Sequence, residues 1–248
     1  MVDEIAVVTG ASSGIGEATA RRFAQDGFRI VAGARRVDRM GWLAAEGTGR
    51  AIPLDVTQLH SIQAFVEDVR RVEGRIDVLV NNAGLAAGLE PVAEGDDANW
   101  VQMLETNVLG LLRMTRACLP LLRKATLAHI VNLGSVASFE VYPGGAGYTA
   151  SKHAVRAISR TLRLELVGEP IRITEIDPGM VETEFSLVRF KGDAARAANV
   201  YQGLDPLTAS DVADGIAWAV SRPPHVNIDE IVIRPIGQAN ASTVHRRS

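Results

Sequence analysis

Cysteine is almost missing from this chain, because Cys118 is the only one among 248 residues. No disulfide can form within the chain, which excludes the small scaffolds that disulfides hold together. The thiol lies in an apolar stretch, where a cysteine usually serves as a small buried hydrophobic side chain rather than as a nucleophile. A reducing compartment, the cytoplasm, is the expected location.

Long apolar runs and an excess of one charge are missing as well. No run approaches the roughly 18 apolar residues needed to cross a bilayer, and the acidic start of the chain does not resemble a secretory signal. The formal net charge is −3 and the isoelectric point is near 6.0, so we expect neither a membrane nor a nucleic acid as partner. The five histidines lack the spacing of metal ligands, and no metal site is expected.

What the chain does have is an alternation of short apolar runs with helical stretches. Hydrophobic residues make up 47% of the chain and charged residues 22%, which allows a sizeable core. Strands apolar on both faces are typical of a parallel sheet covered on both sides. The sequence therefore predicts an α/β fold in a single domain, residues 1–248: a Rossmann-like, doubly wound parallel sheet of about seven strands with helices on both faces. The predicted strands lie at 5–8, 29–32, 51–54, 77–80, 129–133, 171–176 and 231–233.

Two segments extend or interrupt this alternation. A long helix is expected through residues 100–114, with one broad apolar face formed by Trp100, Met103, Leu104, Leu111, Leu112 and Met114. Residues 182–207 are polar and follow the end of the sixth strand. They are the best candidate for a mobile lid over a substrate site.

The first strand leads into a glycine-rich turn, Thr9-Gly-Ala-Ser-Ser-Gly-Ile-Gly16. Glycines between a strand and a helix let the backbone approach a pyrophosphate and leave the first N–H groups of the helix free to bind it. A tight turn without a ligand would also use glycine. The position directly after the first strand favours phosphate binding.

The second strand ends in Gly33-Ala-Arg-Arg36. Sites for NAD usually carry an acidic residue here, which binds the ribose 2′-hydroxyl. This chain has Ala34 at that point, followed by Arg35 and Arg36, and guanidinium groups bind a 2′-phosphate through charge-assisted hydrogen bonds. NADP(H) is therefore favoured over NAD(H), unless the two arginines are only solvated at the end of the strand.

Tyr148 and Lys152 are spaced so that they share one face of a helix, and Ser135 precedes Tyr148 by 13 residues. A phenol has a pKa of about 10, and a nearby ammonium group favours the phenolate, so such a pair can exchange protons near neutral pH. An isolated Tyr-x-x-x-Lys is common on exposed helices. Its meaning depends on the other motifs.

Taken together, the motifs resemble the short-chain dehydrogenase/reductase family over essentially the whole chain. The resemblance is carried, in order, by Thr9-Gly-x-x-x-Gly-Ile-Gly16, Asn81-Asn-Ala-Gly84, Asn107, Ser135, Tyr148-x-x-x-Lys152 and Pro178-Gly179. It implies a single-domain NAD(P)(H) oxidoreductase and a homo-oligomer, with a homotetramer favoured over a dimer. One departure is the short, glycine-punctuated stretch 39–49, where the family usually has a fuller helix.

The resemblance implies roles for four residues. Tyr148 would be the general acid in carbonyl reduction and the base in alcohol oxidation. Ser135 would hydrogen-bond the substrate oxygen. Lys152 would lower the pKa of Tyr148 and bind the nicotinamide ribose. Asn107 would hold a water that continues a proton relay to Lys152.

The resemblance also implies contacts with the cofactor, position by position. They fall in the glycine-rich turn and after later strands: Gly10, Ser12, Ser13, Gly14, Ile15, Gly16, Arg35, Arg36, Asp55, Val56, Asn81, Asn82, Ala83, Gly84, Tyr148, Lys152, Pro178, Gly179, Val181 and Thr183. The turn at 81–84 could equally be purely structural.

Within the family, the carboxyl third resembles the NADP-dependent 3-hydroxy acid dehydrogenase branch. The likeness lies in Pro178-Gly-Met-Val-Glu-Thr-Glu-Phe-Ser-Leu-Val-Arg-Phe190, His225-Val-Asn-Ile228 and Val244-His-Arg246. It implies hydride transfer between NADP(H) and a small 3-hydroxy acid, such as serine or allo-threonine, or its semialdehyde. The alcohol oxygen would then meet Ser135 and Tyr148. A carboxylate needs a nearby cation, for which Arg189 and Lys191 are candidates, although both could be solvated.

Two other functions stay open. Close relatives of this branch reduce larger aldehydes or ketones, including intermediates of secondary metabolism. A dinucleotide-sensing regulator without catalysis could use the same scaffold, but such proteins commonly lose the tyrosine or the lysine, and this chain has both.

Overall fold

Seven parallel strands form the centre of the molecule. The computed structural model describes residues 4–247, and the strands lie in the order β3-β2-β1-β4-β5-β6-β7. Each strand is parallel to its neighbours. The predicted α/β fold class, with its Rossmann-like doubly wound sheet, is confirmed. The strands are β1 Ile5–Thr9, β2 Arg29–Ala34, β3 Gly49–Pro53, β4 Val78–Asn81, β5 Ala128–Leu133, β6 Ile171–Pro178 and β7 Glu230–Ile233.

The apolar runs form central strands because both of their faces are covered. Val7, Leu79 and Ile130 belong to the hydrophobic cluster on one face of the sheet, whereas their successors Val8, Val80 and Val131 belong to the cluster on the other. Successive side chains of a strand point to opposite faces, so a strand buried on both faces must be apolar throughout.

Helices cover both faces of the sheet. Phe65, Met114 and Leu162 bring α3, α5 and α6 to one face, and Phe23 and Ile216 bring α1 and α9 to the other. Burying one such side chain contributes about 1.5–3 kcal/mol. The helices are α1 Gly14–Gln25, α2 Trp42–Ala45, α3 Leu59–Val72, α4 Asp97–Leu104, α5 Leu111–Leu122, α6 Ala146–Glu165, α7 Phe185–Arg189, α8 Ala194–Asn199 and α9 Ala209–Val220.

The strand order reverses between β1 and β4, since the chain builds outward from β1 to β3 and then crosses to the other side. The loops that follow β1 and β4 therefore diverge. In open α/β sheets, ligands bind in the crevice that opens at this point, outside the carboxyl ends of the strands.

The long helix through residues 100–114 is interrupted. A π-helical segment, Glu105–Gly110, lies directly between α4 and α5. Met103 and Leu111 are buried, but the residues that follow them, Leu104 and Leu112, are 43% and 40% exposed. One residue further along a helix turns the side chain by about 100°. The prediction of a single broad apolar face is therefore wrong.

Residues 182–207 include the two short helices α7 and α8. Phe190, Ala197 and Leu204 are buried there, so apolar contacts hold this segment on the body of the protein. Within the part of the chain that the structure describes, no helix has the length and apolarity needed to cross a membrane.

The chain after β7 returns to the same region. Gln238 Oε1 accepts a hydrogen bond from Met180 N at 2.8 Å, directly after β6. Arg247 N donates to Gly203 O at 2.7 Å. The carboxyl-terminal segment thus supports both ends of residues 182–207.

Candidate active site

A cleft of about 280 Å³ opens at the carboxyl edge of the sheet, at the reversal of the strand order. Its walls come from the turn after β1, the ends of β2 and β5, the loops after β3, β4 and β6, and one face of α6. Most of the residues predicted to contact a cofactor or a substrate line this cleft, although they are far apart in the sequence: Gly10, Ser12, Ser13, Gly14, Ile15, Arg35, Arg36, Asp55, Val56, Asn82, Ala83, Gly84, Ser135, Tyr148, Lys152, Pro178, Gly179, Val181 and Thr183.

The glycine-rich turn leaves the amino end of α1 open toward the cleft. Gly14 has a φ of +58°, a conformation that other residues rarely adopt. No side chain caps the start of α1 at Ser13, so its first N–H groups are free for an anion. Gly16 does not line the cleft; a Cβ there would overlap Asn82 and the Gly10 carbonyl, so this glycine serves the close packing of α1.

The arginines after β2 already bind a carboxylate. Arg36 donates to Glu184 Oε2 at 2.9 Å and to Ser13 Oγ at 2.8 Å, and Arg39 donates to Glu184 Oε1 at 2.7 Å. The two arginines hold the pKa of Glu184 below its ordinary value, chiefly through these hydrogen bonds. Arg35 is exposed at the rim of the cleft. The end of β2 is therefore a cationic site that accepts an anion.

The turn after β4 is fixed by β1. Thr9 Oγ1 accepts hydrogen bonds from Asn82 N and Ala83 N, both at 3.0 Å, which holds this turn against the cleft. Asn81 lies behind it, buried, with its Nδ2 donating to Thr115 Oγ1 and Asn132 Oδ1 at 2.9 Å. Asn81 does not line the cleft and its Nδ2 is occupied within the core, so its predicted contact with the cofactor stays a prediction.

Ser135, Tyr148 and Lys152 meet on one wall of the cleft. Ser135 follows β5, whereas Tyr148 and Lys152 stand on the first turns of α6, and all three are at least 91% buried, with exposures of 8%, 9% and 7%. The Ser135 hydroxyl is also within hydrogen-bonding reach of the Tyr148 hydroxyl. A hydroxyl, a phenol and an amine thus converge at a nearly dry site.

The electrostatics of this group differ from the expectation. Burial raises the pKa of Tyr148 above its ordinary value, while Ser135 and Arg189 oppose the shift. The Lys152 ammonium is 5.9 Å from the Tyr148 ring centroid and donates to Leu133 O at 2.7 Å. Burial lowers the pKa of Lys152 to about 8. Arg189 is thus a second cation that favours the phenolate, and the effect of Lys152 on the pKa of Tyr148 stays a prediction.

Asn107 lies within the π-helical segment and faces the loop after β4. Its Oδ1 accepts from Leu85 N at 2.8 Å, and its Nδ2 donates to Leu85 O at 2.8 Å and to Ser151 Oγ at 3.0 Å. Asn107 thus ties this loop to α6 one residue before Lys152, and it stands behind the wall of the cleft.

Arg189 reaches the Tyr148 phenol from α7. Its guanidinium lies 5.6 Å from the Tyr148 ring centroid, and it donates to Tyr142 Oη at 2.8 Å and to Gly88 O at 3.1 Å. Lys191, the other candidate cation, has a side chain that is 69% exposed and lies 3.9 Å from Asp96. The structure therefore brings Arg189, but not Lys191, to the phenol.

A model of the short chain dehydrogenase family matches residues 4–193. The chain belongs to the short-chain dehydrogenase family. This dehydrogenase is 58% identical over 238 residues to an uncharacterized oxidoreductase of Mycobacterium tuberculosis, covering 96% of this chain and 93% of the relative.

Two further relatives have more specific names. The dehydrogenase is 42% identical over 247 residues to the NADP-dependent 3-hydroxy acid dehydrogenase YdfG of Escherichia coli, covering 98% of this chain and all, 100%, of the relative. The solved closed form of a serine dehydrogenase complexed with NADP+ is 41% identical and superposes with a TM-score of 0.92, covering 98% of this chain and 100% of that chain.

Several residues of the dehydrogenase site were not predicted from the sequence. Glu184 lines the cleft and binds both Arg36 and Arg39, while Tyr142 holds Arg189. No motif or spacing marks these residues, since each acts through a partner far away in the chain. The likeness of residues 178–190 to one branch of the family was the one available signal for Glu184.

Proposed function

We propose that this short-chain dehydrogenase is NADP(H)-dependent and transfers a hydride between the nicotinamide and a small 3-hydroxy acid or its semialdehyde, with Tyr148 as general acid and base. The observation that carries the proposal is the convergence of Ser135, Tyr148 and Lys152 at the inner end of a cleft whose outer end carries Arg35 and Arg36. The Arg189 guanidinium lies 5.6 Å from the Tyr148 ring centroid. The names of the E. coli and serine dehydrogenase relatives support it.

The residues present fit NADP(H). The uncapped amino end of α1 offers N–H groups to a pyrophosphate. Arg36 and Arg39 already bind one anionic group, the Glu184 carboxylate. A 2′-phosphate is likewise an anion with oxygen acceptors for guanidinium groups. Asp55 and Val56 would hold the adenine, and Thr183, Val181 and Gly179 the nicotinamide end. When bound, the nicotinamide accepts the hydride in oxidation and supplies it in reduction.

The proton is moved by the residues of the inner wall. In oxidation, Tyr148 Oη takes the proton of the substrate hydroxyl as the substrate carbon loses its hydride; in reduction, the same Oη returns a proton to the carbonyl oxygen. Ser135 Oγ donates to the substrate oxygen and stabilises the charge that develops there. Lys152 binds the ribose hydroxyls. Asn107 holds a water that continues the proton relay to Lys152.

Arg189 is proposed to bind the substrate carboxylate. It is the cation beside the Tyr148 phenol, and it could form two parallel hydrogen bonds with a carboxylate. The helix that carries it, α7, would then be part of a lid formed by residues 182–207 over the substrate site. Leu85, Phe185 and Val188 also line the cleft, and this apolar wall is the observation in favour of the second candidate, a reductase of larger neutral carbonyl compounds.

We further propose a homotetramer located in the cytoplasm. Leu104 of α4, Leu109 of the π-helical segment and Leu112 of α5 are 43%, 37% and 40% exposed, and self-association would cover such apolar side chains. Light scattering on the purified protein measures the assembly.

The role of Tyr148 is tested by the variant Tyr148→Phe, which removes only the hydroxyl. NADP(H) binding should persist, while kcat for serine and other 3-hydroxy acids should fall by about 10²–10⁴-fold, the contribution typical of a general acid or base. Stopped-flow absorbance of the nicotinamide measures the hydride transfer. Turnover at the wild-type rate would refute the assignment.

The substrate class is tested by Arg189→Met, with Lys191→Met as the matched control. Loss of the carboxylate partner should raise KM for 3-hydroxy acids by about tenfold or more, since hydrogen bonds to charged groups are worth about 1.5–3 kcal/mol. Neutral alcohols should be affected much less, and Lys191→Met should behave as wild type with both. An equal loss for acids and neutral alcohols would favour the reductase of larger carbonyl compounds.

A further inference from the structure

Two buried carboxyl groups lie behind the catalytic wall and take no part in the mechanism above. Glu175 and Asp177, both on β6, are 2% and 0% exposed. Residues two apart on a strand point to the same face, and here that face is covered by α6, since the Ser159 hydroxyl hydrogen-bonds Glu175. The two side chains are within hydrogen-bonding reach of each other.

This pair lies directly against the backbone that carries Ser135. Asp177 Oδ1 accepts a hydrogen bond from Ser135 N at 2.8 Å. A Cβ on Gly134 would overlap Asp177 Oδ1 and would come within 2.6 Å of Glu175 Oε1, so both carboxyl groups touch the same short stretch of chain. The preceding carbonyl, Leu133 O, accepts the hydrogen bond of the Lys152 ammonium at 2.7 Å.

If both carboxyl groups are ionised, two of their oxygen atoms have no hydrogen-bond donor among residues 4–247. Glu175 Oε1 and Asp177 Oδ2 are buried, and neither receives a hydrogen bond from any described residue. Two carboxylates side by side in a dry site also repel each other, as in the carboxyl pairs of aspartic proteases. A single proton between them gives a partner to both groups and leaves one negative charge.

The geometry also indicates which group holds the proton. Asp177 accepts from Ser135 N and from the Ser138 hydroxyl, and both donors favour its ionised form. Glu175 faces the Ser159 and Ser138 hydroxyls, and its pKa is raised by burial first and by the charge of Asp177 second. The hydrogen bond between the two carboxyl groups also raises the pKa of Glu175, whereas it opposes the rise for Asp177. Glu175 is therefore the acid that donates, and Asp177 is the carboxylate that accepts.

The remaining negative charge acts on Lys152. No carboxylate forms a salt bridge with Lys152 among residues 4–247, but the negative charge of the Glu175–Asp177 pair, which is chiefly that of Asp177, opposes the loss of its proton. An ammonium group that is 93% buried, with 7% exposed, needs such a charge to stay protonated near neutral pH.

We propose that Glu175 and Asp177 form a proton-sharing carboxyl pair that positions Ser135 through its backbone and keeps Lys152 in its ammonium form. The proposal rests on the proposed function, because it assigns a task to the same Ser135 and Lys152. Glu175 and Asp177 touch neither substrate nor cofactor in this scheme, so they are positioning residues.

The other charged group that faces the pair already has partners of opposite charge. From β7, Glu230 pairs in register with Glu175, but its carboxylate binds Arg156 of α6 at 2.8 Å and lies 3.8 Å from Arg160. On the α6 side, the Tyr148 phenol is a further titratable group that the charge of Asp177 reaches. Lys152 is thus the cation that the charge of the pair stabilises. Glu230, on the neighbouring strand, provides a matched control.

A first experiment tests the shared proton without turnover. Infrared difference spectra of wild type minus Glu175→Gln at pH 7 should contain the C=O stretch of a protonated carboxyl group, and wild type minus Glu230→Gln should not. Absence of the band in the first difference spectrum overturns the proposal. Because no substrate is involved, this result is independent of the proposed function.

A second experiment tests the effect on Lys152 by the pH dependence of kcat. Glu175→Gln replaces a neutral acid by a neutral amide, so the alkaline limb of the profile should stay where it is in the wild type. The double variant Glu175→Gln/Asp177→Asn removes the charge, and the limb should move to lower pH by at least about one unit, which is about a tenfold loss of rate on that limb. KM should change little, and Glu230→Gln should match the wild type.

Two outcomes of the second experiment overturn the proposal: an unchanged limb in a folded double variant, or a shift as large in Glu175→Gln alone. If the double variant does not fold, the infrared experiment decides. Failure of the proposed function is a separate result, namely no oxidation of any 3-hydroxy acid by the wild type, and the carboxyl band would survive it.

Discussion

At the scale of single residues, the least expected contact is the one between Glu184 and the arginines at the outer end of the cleft. The carboxylate of Glu184 binds Arg36 and Arg39, the site where the 2′-phosphate of NADP(H) is proposed to bind. The side chain of Glu184 is 41% exposed, so the pair is a weak one. Glu184 therefore competes with the phosphate instead of excluding it.

This competition predicts that Glu184→Gln strengthens the binding of NADP(H) by about two- to fivefold, the range of an exposed ion pair, while the binding of NAD(H) stays nearly unchanged. Fluorescence titration of both reduced cofactors measures the difference. Glu182→Gln is the control, since Glu182 is exposed on the same segment. Weaker NADP(H) binding in Glu184→Gln would mean that the carboxylate orders the arginines for the phosphate.

At this scale the sequence predicted some residues of the site and not others. Tyr148 and Lys152 were found because a helix turns a spacing of four residues into one shared face, and the arginines after β2 because the chain order of the fold places them there. Glu184, Tyr142 and the pair Glu175–Asp177 act through partners in other segments. Their roles depend on side-chain packing between those segments, which no local pattern encodes.

At the scale of elements, the π-helical segment Glu105–Gly110 places two functional contacts on one stretch of chain. Asn107 holds the loop after β4, and Gly110 lies against Val56, which lines the cleft after β3. The alternation of apolar runs was sufficient to predict the strands. It could not predict this segment, since one wider turn changes the direction of later side chains without changing the composition.

Gly110→Ala should destabilise the protein and weaken cofactor binding. The added Cβ would lie 2.9 Å from Val56 Cγ2 and 3.2 Å from Val56 O, which forces Val56 toward the cleft. Overpacking of this kind typically costs about 1–3 kcal/mol. Chemical denaturation and cofactor titration measure the two effects.

Gly41→Ala is the matched control, because its Cβ would meet only Asp38 O, at 3.9 Å. Equal stability of the two variants would show that Val56 moves aside without cost.

At the scale of the whole molecule, the stability of the sheet should depend on pH through His129 on β5. The His129 side chain is 1% exposed, and burial lowers its pKa to about 3. An unfolded chain binds the proton with a pKa of about 6.5. The contribution of neutral His129 is therefore fully present above pH 6.5 and is lost as the pH falls from there toward 3.

Between pH 7 and pH 5 this effect alone should lower the free energy of unfolding by about 2 kcal/mol. The variant His129→Gln removes the titrating ring, so it should lose less stability than the wild type over the same range. Urea denaturation at both pH values gives the comparison. A parallel loss in both proteins would assign the pH dependence to other groups.

The return of the chain after β7 has a practical consequence for protein production. Gln238 and Arg247 hold the two ends of residues 182–207 through Met180 N and Gly203 O, so an affinity tag fused behind this segment pulls on the same backbone that carries Glu184 and Arg189. A tag placed ahead of β1 is not attached to the segment that makes these two hydrogen bonds. Kinetic constants intended for comparison between variants are therefore best measured on amino-terminally tagged or tag-free enzyme.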